Sequence, residues 1–362
     1  MSEPNDTIFT GIYMEDFDYF MNLSAGPNST FVLDPNTLVC EPFATEVPVS
    51  ILVCVFCMVV TLLAAPGNVL VSLVLCSSKH TLLPSDVYLL HLAVADALLS
   101  LTLPFWGWAA LLGWVFGDAA CKVVSMALEL SFYSSILLLV CISADRYRLV
   151  VHPVQSRREA RGRRDWVVCS TVWVAGVVLS LPALFHSAVR PVGSERTVCL
   201  DNYSSGSAAV WRLATRIMRH ILGFLMPLVV MGICYGAAAA RLQHLRSPRG
   251  RRARRLIAAV VGAFLLCWAP HHLSVMVDTL QRAKLVPHDC ASRWAVNCAE
   301  FATQCLGLLH SLVNPVLYAF MGHRFRDGLC ERLQNMGLRD SPDGLRNSRS
   351  LSRTSSGLST AF

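Results

Sequence analysis

The sequence predicts an all-α membrane protein in which seven helices cross the bilayer as one bundle. Of its 362 residues, 54% are hydrophobic and 15% are charged, whereas about 25% of the residues in a soluble domain are charged. The apolar residues form seven blocks, and each is long enough to cross a hydrocarbon core of about 30 Å as a helix. These blocks lie at about 49–76, 86–110, 120–145, 166–186, 217–240, 256–280 and 296–320.

The composition also excludes other classes of protein. Helices in the core of a soluble protein rarely exceed about 20 residues, and they show a polar face that most of these blocks lack. A disordered or nucleic-acid-binding chain needs more charge and fewer apolar residues. We therefore expect no nucleic acid among the partners of this protein.

The charged residues predict how the bundle is oriented. The first 48 residues hold eight acids and no Lys or Arg, and they contain no signal peptide. In contrast, 148–165 holds six Arg against two acids, and 241–255 holds seven Arg and no acid. Because basic residues collect on the cytoplasmic side, we expect an extracellular N-terminus and a cytoplasmic C-terminus at the plasma membrane. Four N-glycosylation sequons fall on the predicted outer side, at Asn5, Asn22, Asn28 and Asn202.

Four of the fourteen cysteines lie at or beyond the predicted outer face of the membrane. An even number of cysteines on the oxidising side favours two disulfides, although four cysteines allow three pairings. Most of the others lie within apolar blocks, where a thiol is a small hydrophobic group. No cluster has the spacing of a zinc site, so we expect no metal centre. The outer cysteines are Cys40, Cys121, Cys199 and Cys290.

Asp96 is the most informative polar residue, because it lies in the middle of the second apolar block. A carboxylate inside a membrane is costly and marks a functional site by default. We interpret Asp96 as a cation site or a protonation switch at the centre of the bundle. The alternative is a protonated acid that only hydrogen-bonds neighbouring helices.

Two further polar motifs lie near the inner ends of predicted helices. Asp145-Arg146-Tyr147 ends the third block, where an acid beside an arginine can also be a plain interfacial anchor. Asn314-Pro315-Val316-Leu317-Tyr318 lies in the seventh block, where Pro315 leaves the carbonyl of Ser311 free for another partner. Pro270 makes a similar weak point in the sixth block.

Taken in order along the chain, these features form one specific pattern. Across 49–335 the chain resembles the rhodopsin family of G-protein-coupled receptors. The residues that carry the resemblance are Gly67-Asn68, Leu92-Ala93-Val94-Ala95-Asp96, Cys121, Asp145-Arg146-Tyr147, Trp173, Pro227, Tyr235, Cys267-Trp268-Ala269-Pro270, Asn314-Pro315 and Tyr318.

The resemblance implies roles for individual residues. It implies a Cys121–Cys199 disulfide, an allosteric sodium pocket, and an Arg146 that Asp145 restrains until the sixth helix swings outward. The sodium pocket comprises Asp96, Ser135, Ser311 and Asn314. The coupling and activation residues are Asp145, Arg146, Tyr147, Tyr235, Trp268, Pro270, Asn314, Pro315 and Tyr318. The implied order is an acidic extracellular arm (1–48), the seven-helix domain (49–321), an amphipathic helix (322–335) and a disordered cytoplasmic tail (336–362).

Shorter stretches resemble one branch of that family. Thr102-Leu103-Pro104 in the second block is typical of chemokine receptors, as is the pairing of Cys40 with Cys290. Gly113-Trp114-Val115-Phe116-Gly117 and Asp278-Thr279-Leu280-Gln281-Arg282 resemble the interleukin-8-type CXC chemokine receptors. The resemblance implies a receptor for such chemokines that couples to inhibitory G proteins and drives neutrophil chemotaxis and calcium signalling.

The chain departs from that branch at several positions. Gln304 stands where those receptors carry Glu, and Glu300 one turn further out is the candidate replacement. His271-His272 stand where they carry Tyr-Asn, and adjacent helical positions face about 100° apart, so these two form no metal pair. Arg148 replaces a leucine after Asp145-Arg146-Tyr147, which bears on the strength of G-protein coupling.

Charge alone also predicts the kind of ligand. The acidic arm attracts a basic partner and speeds encounter, the alternative being a tail that only solubilises the protein. Tyr13 precedes Glu15-Asp16, and Tyr19 follows Asp16 and Asp18, which is the setting of tyrosine sulfation. At the mouth of the bundle we expect a mixed-charge rim, which with Gln304 completes the predicted ligand site. The rim residues are Arg212, Arg216, Asp278, Arg282 and Glu300.

The cytoplasmic tail predicts further partners. Phosphorylation by receptor kinases would turn its hydroxyl cluster into an anionic strand that suits the basic groove of an arrestin. Thr360-Ala361-Phe362 also suits a PDZ groove. The cluster comprises Ser348, Ser350, Ser352, Thr354, Ser355, Ser356, Ser359 and Thr360.

Rival functions are separable on sequence features. The sequence shows no nucleophile–base pair and no phosphate loop, so nothing in it indicates an enzyme. A retinal receptor needs a lysine within the seventh block, whereas Lys284 lies before that block. A transporter would show repeated halves with broken polar helices. The alternatives that stay open are a receptor for a lipid, a formyl peptide or another chemokine class, and a chemokine scavenger, which would be expected to lose Asp145-Arg146-Tyr147.

Overall fold

The computed structural model describes residues 47–77, 84–151, 161–192, 196–203, 207–243, 248–283, 285–286 and 289–321. The predictions for the acidic arm, its sequons and Cys40 lie outside these residues, as do those for the amphipathic helix and the tail. The helices and strands are α1 Val47–Cys76, α2 Pro84–Leu112, α3 Gly117–Val151, α4 Arg161–His186, β1 Ser187–Val192, β2 Arg196–Asp201, α5 Ala208–His220, a π-helical turn Ile221–Leu225, α6 Met226–Gln243, α7 Pro248–Arg282, α8 Cys290–Leu308 and α9 His310–Met321.

These elements correspond to the seven predicted blocks. Within the described residues, five helices are long and apolar enough to span a membrane: α1 to α4, and the continuous helix formed by α5, the π-helical turn and α6. The sixth block is α7. The seventh block is α8 followed by α9, with a single break at Leu309.

Several helices begin earlier than predicted. The fifth span begins at Ala208 rather than at 217, and α7 begins at Pro248 rather than at 256. In both cases the added turns contain arginines, which hydropathy excludes from a membrane span but which are good helix formers. Hydropathy marks the limits of the hydrocarbon, whereas the helices continue beyond it.

A β-hairpin between α4 and α5 was not predicted. β1 and β2 pair antiparallel, with Val189 opposite Cys199. The hairpin docks on the outer ends of α2 and α3, where the Trp114 amide donates to the Thr197 carbonyl at 2.7 Å and the Thr197 hydroxyl donates to the Trp114 carbonyl at 2.6 Å. The predicted Cys121–Cys199 disulfide is present and ties β2 to the first turns of α3.

The largest core cluster surrounds α3, which is buried along much of its length. Two glycines permit close packing at the level of its outer half. A Cβ on Gly223, in the π-helical turn, would lie 2.8 Å from the Phe132 ring, and a Cβ on Gly307 would lie 3.0 Å from the Trp268 ring. The Phe132 and Trp268 rings meet edge to face with their centroids 4.7 Å apart. These contacts pack the fifth, sixth and seventh spans around α3 at one level.

Candidate functional site

The predicted outer end of the bundle holds a cavity of about 140 Å³, which is lined by residues of α2, α3, α4, α5, α7, α8 and the hairpin. Cys199 of the hairpin lines one side, and His271 and His272 of α7 line another. Of the six residues predicted at the bundle mouth, Arg212, Arg216 and Gln304 line this cavity.

Asp278 joins this cavity through a buried ion cluster. Its Oδ2 accepts from Arg216 Nη1 at 2.6 Å and from Arg282 Nε at 2.7 Å. Arg216 also donates to the Thr279 hydroxyl at 3.1 Å. Asp278 is 5% exposed and Arg216 8% exposed, and buried charges are costly unless they are paired in this way. The structure therefore unites three predicted ligand residues in one network that joins α5 to α7.

Glu300, which was predicted at the rim, is buried like Asp278 and Arg216. It is buried in α8 at 3% exposure, and its backbone hydrogen-bonds the ring of His271. α8 packs against α7, so Glu300 faces the interior of the bundle. Its role as a ligand-binding residue in place of a glutamate at position 304 stays a prediction.

Two pairs of charged or polar residues that line the cavity were not predicted from the sequence. Arg219 forms a salt bridge with Glu129 across α5 and α3. The Nδ1 atoms of His220 and His272 lie 2.8 Å apart across α5 and α7. Glu129 is a charge inside an apolar block, and that signal alone could have drawn attention to it. The histidine pair has no such signal, because its members are 52 residues apart.

Asp96 lies in a closed polar cluster at the middle of the bundle. Its Oδ1 accepts from the Ser135 hydroxyl at 2.8 Å, and its Oδ2 accepts from Asn314 Nδ2 at 2.7 Å. Asn68 Nδ2 donates to the carbonyl of Ser311 at 3.0 Å, which is the carbonyl that Pro315 was expected to free. Asp96 is 1% exposed. Three residues of the predicted sodium pocket, Asp96, Ser135 and Asn314, thus come together from α2, α3 and α9, and the fourth, Ser311, lies one turn before Asn314 in α9.

Oxygen groups in this cluster are of the kind that a small hard cation prefers. Asp96 supplies a carboxylate and Ser135 a hydroxyl. Asn314 directs its amide nitrogen to Asp96, and the Ser311 hydroxyl donates to the Leu308 carbonyl, so both groups would rotate to face an ion. Histidine or thiol ligands for a transition metal are absent from it. Across the described residues, no group of three or more His, Cys, Asp or Glu side chains could hold a metal ion.

The inner end of α3 carries Asp145, Arg146 and Tyr147 in its last turns. Tyr235 of α6 is buried, hydrogen-bonds Ser143 and lies near Arg146. The backbone of Tyr318 lies in α9, while its side chain is outside the described part of the chain. The structure thus places Tyr235, one of the predicted coupling and activation residues, at the same end of the bundle as Arg146.

The remaining predicted residues lie in α7, at the start of α8 and directly after β2. Trp268 and Pro270 lie in α7, and Trp268 packs against Phe132 as described above. Cys290 begins α8 and is disulfide-bonded; its predicted partner Cys40 lies outside the described residues. Asn202 directly follows β2.

The chain is similar to a family of membrane receptors and to individual members of it. Residues 67–318 match the family described as 7 transmembrane receptor (rhodopsin family). The chain is 39% identical to C-X-C chemokine receptor type 1 of Oryctolagus cuniculus, with 89% of this chain and 88% of that protein covered. It is 40% identical to C-X-C chemokine receptor type 2 of Mus musculus, covering 89% and 88%. It is also 40% identical to the type 2 receptor of Gorilla gorilla gorilla, covering 90% of each.

Proposed function

The chain belongs to the rhodopsin family of seven-transmembrane receptors and, within it, to the CXC chemokine receptors, and on that premise we propose that it binds CXC chemokines of the interleukin-8 type and activates inhibitory G proteins. As a member of this family it is a multi-pass membrane receptor for signalling and not an enzyme. The observation that carries the proposal is 40% identity over 90% of both chains to a C-X-C chemokine receptor type 2. In this proposal the receptor drives neutrophil chemotaxis and calcium signalling.

We propose that the chemokine binds in two stages. The acidic arm, with sulfated Tyr13 and Tyr19 beside Asp16 and Asp18, captures the basic body of the chemokine. The flexible N-terminus of the chemokine then enters the outer cavity. The polar network around Asp278 supports this second stage, because it presents fixed charges to a segment that loses its freedom on entry.

The first stage leads to a prediction about rates. Tyr13→Phe/Tyr19→Phe is expected to lower chemokine affinity mainly through slower association, with a flatter salt dependence. Long-range attraction between exposed charges acts on the association rate and is screened over about 8 Å at physiological salt. Surface plasmon resonance on the full receptor in nanodiscs, at several salt concentrations, measures both effects. Asp34→Asn is the control, since it removes one arm charge away from the tyrosines. A double variant that changes only the dissociation rate would contradict the two-stage account.

We propose that the transmembrane signal passes from the cavity to Arg146 through α7. In the resting receptor Asp145 restrains Arg146. Trp268 and Pro270 form the pivot, and the outward swing of α7 opens a cytoplasmic cleft for a G-protein helix. The packing of Trp268 between Phe132 and Gly307 supports this, because any movement of the ring must repack α3 and α8. The Arg-rich segments 148–164 and 241–255 rim this cleft.

We further propose that Asp96, Ser135, Ser311 and Asn314 hold an allosteric sodium ion in the resting receptor. The ion would supply a positive charge that keeps Asp96 ionised. The residues themselves link α2, α3 and α9 through hydrogen bonds of 2.8 Å and 2.7 Å to the Asp96 carboxylate. A change in the spacing of these helices therefore alters the pocket, which couples it to activation.

The cytoplasmic partners are proposed from the sequence. We propose that the N-terminus is extracellular, that receptor kinases phosphorylate the hydroxyl cluster of the tail, and that arrestins then bind it. Thr360-Ala361-Phe362 is proposed as a ligand for a PDZ domain. The basic cytoplasmic segments support the orientation.

A further inference from the structure

His220 and His272 meet within the outer cavity in a geometry that their sequence positions do not reveal. Their Nδ1 atoms are 2.8 Å apart, and their ring centroids are 5.0 Å apart. His220 is the last residue of α5, just before the π-helical turn, and His272 lies two residues after Pro270 in α7. Both line the cavity, so a small solute that enters the cavity reaches them.

The second nitrogen of each ring, Nε2, does not fix the role of the histidine pair. His220 is 8% exposed and His272 5% exposed, and neither Nε2 atom has a hydrogen-bond partner among the described residues. The tautomer of a histidine is normally set by the hydrogen bond of its other nitrogen. In this structure one Nδ1 donates to the other. Because neither Nε2 is engaged within the described part of the chain, the donor ring can carry its proton on Nε2 instead, which leaves both Nδ1 lone pairs available to one shared ligand.

The separation of the two nitrogens matches metal coordination. Imidazole nitrogens bind zinc at about 2.0–2.1 Å, so two of them at a right angle on one ion lie about 2.9 Å apart. That angle is normal in the tetragonal coordination of Cu²⁺. A tetrahedral Zn²⁺ site needs a separation of about 3.3 Å, which a shift of about 0.5 Å between the rings supplies.

The charges around the pair permit a cation. Arg216 and Arg219 lie nearby, but Asp278 pairs with the first and Glu129 with the second. Glu129 lines the same cavity as the two histidines. Each of these two arginines thus has a carboxylate partner, although Arg282 shares Asp278 with Arg216, and the carboxylates lower the positive charge beside the neutral imidazoles.

We propose that His220 and His272 form a two-histidine site for a divalent transition metal, Zn²⁺ or Cu²⁺, that links the fifth span to α7 from within the outer cavity. Water or a ligand group completes the coordination, because two protein ligands leave positions open. His271 is not part of this site, since the backbone of Glu300 engages one nitrogen of its ring and its ring centroid lies 5.9 Å from that of His272. Binding of the metal requires no chemokine, so the proposal is independent of the proposed function.

The test uses the purified full-length receptor in nanodiscs without chemokine. Saturating ZnCl2 is expected to raise the melting temperature by about 3 °C or more, because a ligand that binds only the folded state stabilises it. MgCl2 is expected to have no such effect, since Mg²⁺ prefers oxygen ligands. His220→Gln and His272→Gln should abolish the shift, whereas the matched control His271→Gln should retain it. No zinc-dependent shift in the wild type, or an equal shift in both variants, overturns the proposal.

Two further measurements separate metal binding from a structural hydrogen bond. His272→Cys removes the imidazole but supplies a thiolate ligand for zinc, and it is expected to retain the zinc-dependent shift. Loss of the shift in this variant while His271→Gln retains it favours a purely hydrogen-bonded pair and counts against the proposal. If the glutamine variants do not fold, Cu²⁺ electron paramagnetic resonance on the wild type is decisive. Two imidazole nitrogens on one ion, displaced by Zn²⁺, support the site, and a spectrum without imidazole ligands overturns it.

Discussion

Arg146→Ala is expected to abolish chemokine-stimulated nucleotide exchange while chemokine binding stays nearly unchanged. The guanidinium lies at the inner end of α3 with Tyr235 nearby, far along the helix from the outer cavity. Its loss removes the contact that a G-protein helix would make in the opened cleft. The exchange rate with chemokine is therefore expected to fall to the rate without chemokine. GTPγS binding to membranes that contain receptor and inhibitory G protein measures this rate.

Arg148→Ala is the matched control for this change. It removes the same charge two residues further along α3, and it is expected to lower exchange far less. Saturation binding of labelled chemokine confirms that both variants fold and reach the surface. Full signalling from Arg146→Ala would show that the proposed coupling residue has no such role.

Asp278→Asn is expected to reduce agonist potency by two orders of magnitude or more. The substitution removes the acceptor that holds both Arg216 and Arg282, at 2.6 Å and 2.7 Å. Breaking one partner of a buried ion pair costs about 3–5 kcal/mol, because the remaining charge is left uncompensated. Since the arm performs the first capture, we expect signalling to fall more than the initial association rate. A calcium assay and a binding measurement on the same cells separate the two effects.

Asp118→Asn provides the contrast that this prediction needs. Asp118 also forms an ion pair, with Lys122 at 2.7 Å, but both side chains are substantially exposed. Exposed ion pairs contribute about 0–1 kcal/mol, so potency should change by less than about tenfold. Equal effects of the two substitutions would show that the buried network around Asp278 has no special role in signalling.

Much of the fold could be predicted because it depends on properties that single segments carry. The seven apolar blocks and the alternation of basic segments can be identified without knowing which residues contact each other in the folded chain. The ends of the helices were less predictable, since arginine-bearing turns such as 208–216 are helical without being apolar. The hairpin was missed because β1 and β2 are short and gain stability by docking on Trp114 rather than from their own pattern.

The candidate sites also have a part that could be predicted from the sequence and a part that could not. Asp96 was identified by its cost within the membrane, and the resemblance to a receptor family supplied Ser135, Ser311 and Asn314 as its partners. The pairs Arg219–Glu129 and His220–His272 depend on how α5 is rotated against α3 and α7. A helical pattern of 3.6 residues per turn shows which residues share a face, but not which face of another helix they meet. Contacts of this kind become visible only in the folded chain.

The central claim is that this chain is a receptor for CXC chemokines of the interleukin-8 type. The measurement that tests it most directly is a screen of cells expressing the full-length receptor against a complete panel of CC and CXC chemokines, with lipid and formyl-peptide attractants included. Calcium release and inhibition of cyclic AMP are read together, and Arg146→Ala cells serve as the signalling-dead control. We expect responses to interleukin-8-type CXC chemokines, and we expect pertussis toxin to abolish them. Responses to CC chemokines alone, or only to a lipid or a formyl peptide, would contradict it.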